Sequence, residues 1–220
     1  MSKMRLYCLY PTLASSRTKC ISTNTRRRKA ACRRHRIELV WTGPEVTGSQ
    51  SRDTSVVVRE LFSNAKKSVL ISSFAIDRGE KARKLFQVLA EPMDANPELY
   101  VQMFLNIQRL HNSEAAKSIL LREFADTFRR DIWIGKRLPE VFYDSRSLAV
   151  NVKQKSSLHA KSIIVDEESV LITSANFTEA AHERNIEAGV LLTDSTIAQA
   201  LRLQFDTLVS HKILLPIPGI

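Results

Sequence analysis

A histidine, a lysine, an aspartate, a serine and an asparagine lie within eighteen residues of one another near the C-terminal end of the chain. They read His159-Ala160-Lys161, then Asp166, then Ser174-Ala175-Asn176. Imidazole is a competent nucleophile at neutral pH because a useful fraction is uncharged. An ammonium beside it neutralises non-bridging phosphate oxygens as charge develops on them. In a strand, side chains two apart share a face, so His159 and Lys161 are expected to point the same way. The chemistry that suits this set is phosphodiester cleavage through a covalent phosphohistidine.

Asp166 stands seven residues after His159, where a strand should turn, and reads as orienting or structural rather than as a base. Ser174 and Asn176 are again two apart and precede an expected helix N-terminus, whose free N–H groups would favour phosphate. Asn176 also fits a plain helix cap, with Glu179 as its box partner. Glu187, on the next expected strand, is placed to accept the second N–H of His159 and fix its tautomer, although a strand-end charge has simpler explanations.

The elements around these residues alternate. Trp41-Thr42-Gly43-Pro44 suggests a strand entering a turn, and Asp53 suggests the cap of a helix carrying Val58, Leu61, Phe62 and Ala65. Strands are expected at 68–75, 99–106, 158–165, 170–173 and 186–193. Helices are expected around Ala82–Leu89 with Pro92 as a stop, around Leu121–Phe128, near 178–183, and at 197–209. Residues 131–157 show no clear period. The alternation argues for an α/β sandwich with a mixed, mostly parallel sheet and helices on both faces.

Composition sets the frame. The chain has 220 residues, 44% of them hydrophobic, which is enough for one domain with a substantial core. No apolar run approaches the length of a bilayer span. The formal charge of +10 is unevenly placed: residues 1–36 hold eleven Lys/Arg and no acid, while residues 37–220 hold 22 Lys/Arg against 23 Asp/Glu. Basicity therefore argues for nucleic-acid contact only in the tail. Cys8, Cys20 and Cys32 all fall there, at no metal spacing, and fit free thiols in a reducing compartment. The expected layout is a basic tail at 1–36, a catalytic domain at 37–212 and a short tail at 213–220. The tail reads as a polycation, an organelle transit segment or a start-site artefact.

Residues 158–193 resemble the HKD motif of the phospholipase D superfamily, HxKxxxxD followed by GSxN. They are similar in particular to its small one-motif nucleases, in which an Asn-x-Glu follows. The stretches at 39–44 and 139–144, with the motif, resemble the phospholipase D-like family of DISARM phage-defence cassettes across residues 37–212. The resemblance implies His159 as nucleophile and Lys161, Ser174 and Asn176 as phosphate ligands. It implies Asp166 as a supporting carboxylate, Glu187 as the histidine's partner, and no metal or cofactor. Thr173 departs from it, standing where the family carries glycine and crowding the approach to phosphate.

The motif occurs once. In-line displacement needs a nucleophile on one side of phosphorus and an acid on the other, so the expected assembly is a homodimer with paired His159 side chains. The expected function is a metal-independent, cytoplasmic nuclease acting on DNA in anti-phage defence, with other defence proteins as further partners. The alternatives are a phospholipid phosphodiesterase and a nucleic-acid-binding module with weak turnover. The first would want an amphipathic or apolar membrane-facing segment, which is not evident. Arg109, Tyr143 and Arg146 are candidates to line a channel, with a solvated surface role as the simpler expectation.

Overall fold

A computed structural model describes residues 36–44, 47–109 and 113–220. The expectations for the basic tail and its cysteines lie outside the described residues. Nine strands form one sheet: β1 Arg36–Thr42, β2 Arg52–Asp53, β3 Ser68–Ser73, β4 Tyr100–Leu105, β5 Glu140–Asp144, β6 Ser162–Val165, β7 Ser169–Thr173, β8 Glu187–Thr193 and β9 Leu214–Pro216. Four α-helices accompany them: α1 Thr54–Asn64, α2 Glu80–Ala95, α3 Lys117–Thr127 and α4 Ser195–Ser210. The strand order is β2-β1-β8-β7-β6-β3-β4-β5-β9.

The sheet is mixed, but mostly antiparallel rather than mostly parallel. Only β1–β2, β3–β4 and β4–β5 run parallel. One antiparallel pair, β6 with β7, is dictated by its linker. Three residues join β6 to β7, whereas a parallel crossover needs a dozen or more. Apart from the two-residue β2 beside β1, the parallel portion is β3, β4 and β5, whose connections are long enough to carry α2 and α3.

Helices do cover both faces. Residues of α1, α2 and α3 pack with Val40, Ile71, Met103, Val141, Ile163 and Leu171 on one side. Phe205 and Ala198 of α4 pack with Leu70, Phe104, Phe142, Ile164 and Val170 on the other. The alternation of these residues along β3, β4 and β6 is the period-2 pattern of a sheet buried on both faces.

Side-chain caps set the starts of two helices. Asp53 caps α1, its carboxylate accepting from the Val56 N–H at 2.9 Å. Asp194 caps α4 in the same way through the N–H groups of Thr196 and Ile197. Pro92 does not stop α2. It sits one turn before the helix end, and its carbonyl still accepts from Asn96. The expected helix near 178–183 is a single π turn at Ala180–Arg184. The unclear segment 131–157 contains β5, and residues 213–220 are not a tail outside the domain: β9 pairs antiparallel with β5, and Ile217 is buried.

Antiparallel pairing of β6 with β3 and β7, and of β7 with β8, has one consequence that matters for chemistry. The carboxyl ends of β3, β4, β5 and β7 and the amino ends of β6 and β8 meet at the same end of the sheet.

Candidate active site

His159 lies in the extended segment immediately before β6, at that end of the sheet, and is exposed. Lys161 is buried, 9% exposed, and its backbone carbonyl accepts from the Thr173 N–H of β7. The Lys161 ammonium donates to the His159 carbonyl at 2.9 Å and stands 3.2 Å from His159 Nδ1 and 3.4 Å from Nε2. The i, i+2 spacing thus brings the imidazole and the ammonium together. Burial pushes the Lys161 ammonium below the ordinary lysine range, and the Glu187 carboxylate partly opposes that shift.

Ser174 and Asn176 follow β7 and are held by different neighbours. The Ser174 hydroxyl donates to Glu187 Oε2 at 2.5 Å and accepts from the Ala188 N–H at 3.1 Å. Asn176 Oδ1 accepts from the Ala75 N–H at 3.2 Å, beyond the end of β3. That bond commits the amide oxygen, since its partner is a donor, and leaves Nδ2 as the donor end of the side chain. Asn176 does not cap a helix: a single π turn begins at Ala180, with Glu179 at its N-cap position. Glu179 is not a capping-box partner; its carboxylate pairs with Lys81 instead.

Glu187 is at the site but in a different role from the one expected. It accepts from Ser174 and from Asn185 Nδ2 at 3.0 Å, and its field reaches Lys161. The His159 ring instead lies against Phe74, with centroids 4.7 Å apart. Phe74 also faces the Lys161 ammonium at 5.6 Å from its ring centroid. The run SVLISSFA reads as one strand that hides Phe74 within it, but β3 ends one residue before Phe74.

Asp166 is not part of this cluster. It sits at the far end of β6, roughly 20 Å away at about 3.3 Å per strand residue. Its φ of 54° belongs to the left-handed region that Asp tolerates in turns. Its carboxylate accepts from three consecutive backbone N–H groups, of Lys66, Lys67 and Ser68, at 3.0, 2.7 and 2.9 Å. Asp166 therefore ties the β6–β7 turn to the start of β3, which is the structural alternative of its sequence reading.

The Thr173 side chain is held by neighbours on its own loop and on β8. Its hydroxyl accepts from the Ala175 N–H at 3.0 Å. Its Cβ stands across from Gly189, where an added Cβ would come within 2.9 Å of Thr173 Cβ and of the Ile172 carbonyl. The missing side chain on β8 makes room for the extra one on β7.

Of the channel candidates, Arg109 is buried and donates to the carbonyls of Leu148, Ser113 and Ala115, so it staples loops. Tyr143 is buried in the core, with the Lys117 ammonium over its ring. Arg146 is half-exposed and forks onto Asp144 at 2.8–3.3 Å. Burial pushes the Asp144 carboxyl up, but Arg146 outweighs it and holds it below the usual range. This pair borders a cavity of about 240 Å³ that also reaches His159, between the 157–160 segment and α4. Among the described residues, no three His, Cys, Asp or Glu side chains are grouped to share a metal ion. No helix of the described residues is long and apolar enough to cross a membrane.

Residues 58–209 match the family model described as cardiolipin synthase, PLD-like domain. The chain belongs to the phospholipase D-like family. It is 27% identical over 156 residues to the DISARM protein DrmC of Bacillus paralicheniformis, a match covering 71% of this chain and spanning 56% of that relative. The fold resembles Nuc, a phospholipase D family member from Salmonella typhimurium, with a TM-score of 0.51, 17% identity, and 83% and 98% of the two chains covered. It likewise resembles NucT from Helicobacter pylori, with a TM-score of 0.55, 15% identity, and 83% and 99% covered. Phosphatidylserine synthase from Haemophilus influenzae shares the fold over 83% of this chain and 40% of its own, with a TM-score of 0.53 and 13% identity.

Proposed function

We propose that this phospholipase D-like chain is a metal-independent nuclease that cleaves DNA phosphodiester bonds through a phosphohistidine on His159, and that it serves anti-phage defence. The observation that carries the chemistry is the convergence of an exposed imidazole and a buried ammonium 3.2 Å apart, beside the Ser174–Asn176 loop. A ring nitrogen of His159 attacks phosphorus, forming a P–N bond as the P–O bond to the leaving group breaks. Lys161 and Asn176 Nδ2 hold the non-bridging oxygens, and Ser174, positioned by Glu187, supports that loop. Water then cleaves the P–N bond, returning the imidazole and freeing the phosphate monoester.

The leaving oxygen needs a proton, and one imidazole cannot stand at both ends of the displacement. We therefore infer a homodimer in which His159 of a second copy supplies that proton and later activates the water. A row of exposed apolar side chains supports this reading. Leu39, Val190 and Ile172 lie directly opposite one another on β1, β8 and β7, and Ile172 and Val190 adjoin Thr173 and Gly189 at the site. This patch is uncovered by α4 in the single chain and fits a surface closed by a two-fold copy. The relationship to DrmC supports the defence role and, with it, a cytoplasmic site of action and other defence proteins as partners.

The test is hydrolysis of single- and double-stranded DNA in excess EDTA, with light scattering on the same sample. Cleavage by the wild-type dimer and none by His159→Ala is expected. An active monomer near 24.9 kDa would refute the shared site. Binding without cleavage would favour a nucleic-acid-binding module, and turnover of phospholipid vesicles alone would favour a lipid phosphodiesterase.

A further inference from the structure

Phe74 stands apart from the other phenylalanines. The chain has nine, and the other eight pack within or against the two apolar cores; Phe74 belongs to neither. It is half-exposed at the carboxyl end of β3, with its ring against the His159 imidazole. The same residue lines a cavity of about 900 Å³ that opens beyond the carboxyl ends of β3 and β4 and is bounded by α3. Phe74 therefore connects the nucleophile to a large unfilled volume, and such crevices at strand carboxyl ends are where α/β sheets hold ligands.

The cavity walls indicate the kind of ligand. Ile76, Ile107, Phe124 and Ile132 make them largely apolar. Arg78 and Arg130 are offset by Glu123 and Asp126, so the lining carries no net charge that would draw in a second phosphate. Asn106 also lines the cavity, and both its Oδ1 and Nδ2 are buried with no hydrogen-bond partner among the described residues. A carboxamide with an unmet donor and an unmet acceptor matches the paired acceptor and donor on the edge of a nucleobase. A flat aromatic face next to an apolar slot suits the base itself, since aromatic side chains are the usual platforms for unstacked bases.

We propose that this cavity is a nucleobase subsite. It would take the unstacked base on one side of the scissile phosphate, with Phe74 as the stacking surface and Asn106 meeting the base edge after a turn of its side chain. The proposal rests on the nuclease reading for the phosphate position and adds that the enzyme prefers single-stranded or locally opened nucleic acid. A base held in a duplex stack cannot enter such a slot.

The test uses the full-length chain carrying His159→Asn, which binds without turnover. The probes are two dinucleotides with a single internal phosphodiester. Each carries the fluorescent base 2-aminopurine on one side of the phosphate and an abasic sugar on the other. One of the two is expected to be quenched on binding and to bind at least tenfold more tightly than the other. Adding Phe74→Leu should abolish the quenching. Adding Asn106→Leu should weaken binding at least threefold while leaving the melting temperature equal or higher, because it removes unpaired buried polar atoms. Equal affinity and equal quenching for both dinucleotides would overturn the subsite, as would unaltered quenching in Phe74→Leu. Displacement by phosphatidylglycerol vesicles with no preference between the dinucleotides would also overturn it, assigning the cavity to lipid. Cleavage of the same dinucleotides by the wild type reads the nuclease proposal separately. One-sided quenching without cleavage would reject the nuclease and keep the subsite. Cleavage without a side preference would do the reverse.

Discussion

The two ends of β6 carry the two halves of one sequence motif and use their polar groups in opposite ways. At the amino end, His159 is exposed, Lys161 is buried beside it, and the Asn176 amide oxygen alone is tied to the backbone, at Ala75. At the carboxyl end, the Asp166 carboxylate is fully engaged by three backbone N–H groups of residues 66–68. One end keeps hydrogen-bonding capacity in reserve; the other commits it to the fold. The spacing HxKxxxxD thus measures the length of a strand, and its aspartate marks the turn that fixes β6 against β3.

Substitutions at the two ends should separate rate from stability. His159→Ala is expected to lower phosphodiester hydrolysis by at least about 10³-fold while leaving the thermal midpoint nearly unchanged. Steady-state rates and a melting curve on one preparation check both parts. Lys161→Ala should lower the rate by about 10²–10³-fold, through lost stabilisation of the developing charge. Because burial depresses the lysine's proton affinity, the wild-type rate should fall on the alkaline side earlier than an ordinary lysine would dictate. Lys161→Arg should move that alkaline limb upward. The same depression affects stability: the folded state penalises the charged ammonium at neutral pH, and that penalty is relieved as pH rises through the lowered value.

Asp166→Ala should do the converse, costing about 2–4 kcal/mol of stability from lost charge-assisted bonds while the rate per folded molecule holds. Denaturant titration alongside active-site titration decides it. A large loss of rate with unchanged stability would break the contrast between the ends. The smallest effect is expected at Thr173. Thr173→Ser keeps the acceptor for the Ala175 N–H and should stay within about twofold of wild type. Thr173→Val removes that acceptor and should slow turnover by about three- to tenfold, about 0.7–1.4 kcal/mol.

Much of this was legible in the sequence. The i, i+2 rule placed His159 with Lys161, and the turn chemistry at Asp166 favoured a structural role for it. Apolar periodicity located most helices and strands. What the sequence did not disclose was set by pairing between distant segments. The antiparallel turn from β6 to β7 follows from its three-residue linker, whereas the direction of the other strands depends on pairing across long connections. Strand β9 is three residues with a terminal proline, too short to show a period. The partner of Glu187 depends on the register of β7 against β8, which places Ser174 rather than His159 within its reach. Phe74 looked like core because nothing local announces that β3 ends at Ser73.

The central claim is that His159 becomes covalently bonded to phosphorus. The most direct measurement is rapid acid-free quenching of wild-type enzyme with an oligonucleotide in EDTA, followed by intact-protein and peptide mass spectrometry. The account predicts a transient nucleotide adduct on the peptide containing His159, stable in base and lost in acid, and absent from His159→Ala. Undiminished cleavage by His159→Ala, or an adduct on a different residue, would contradict it.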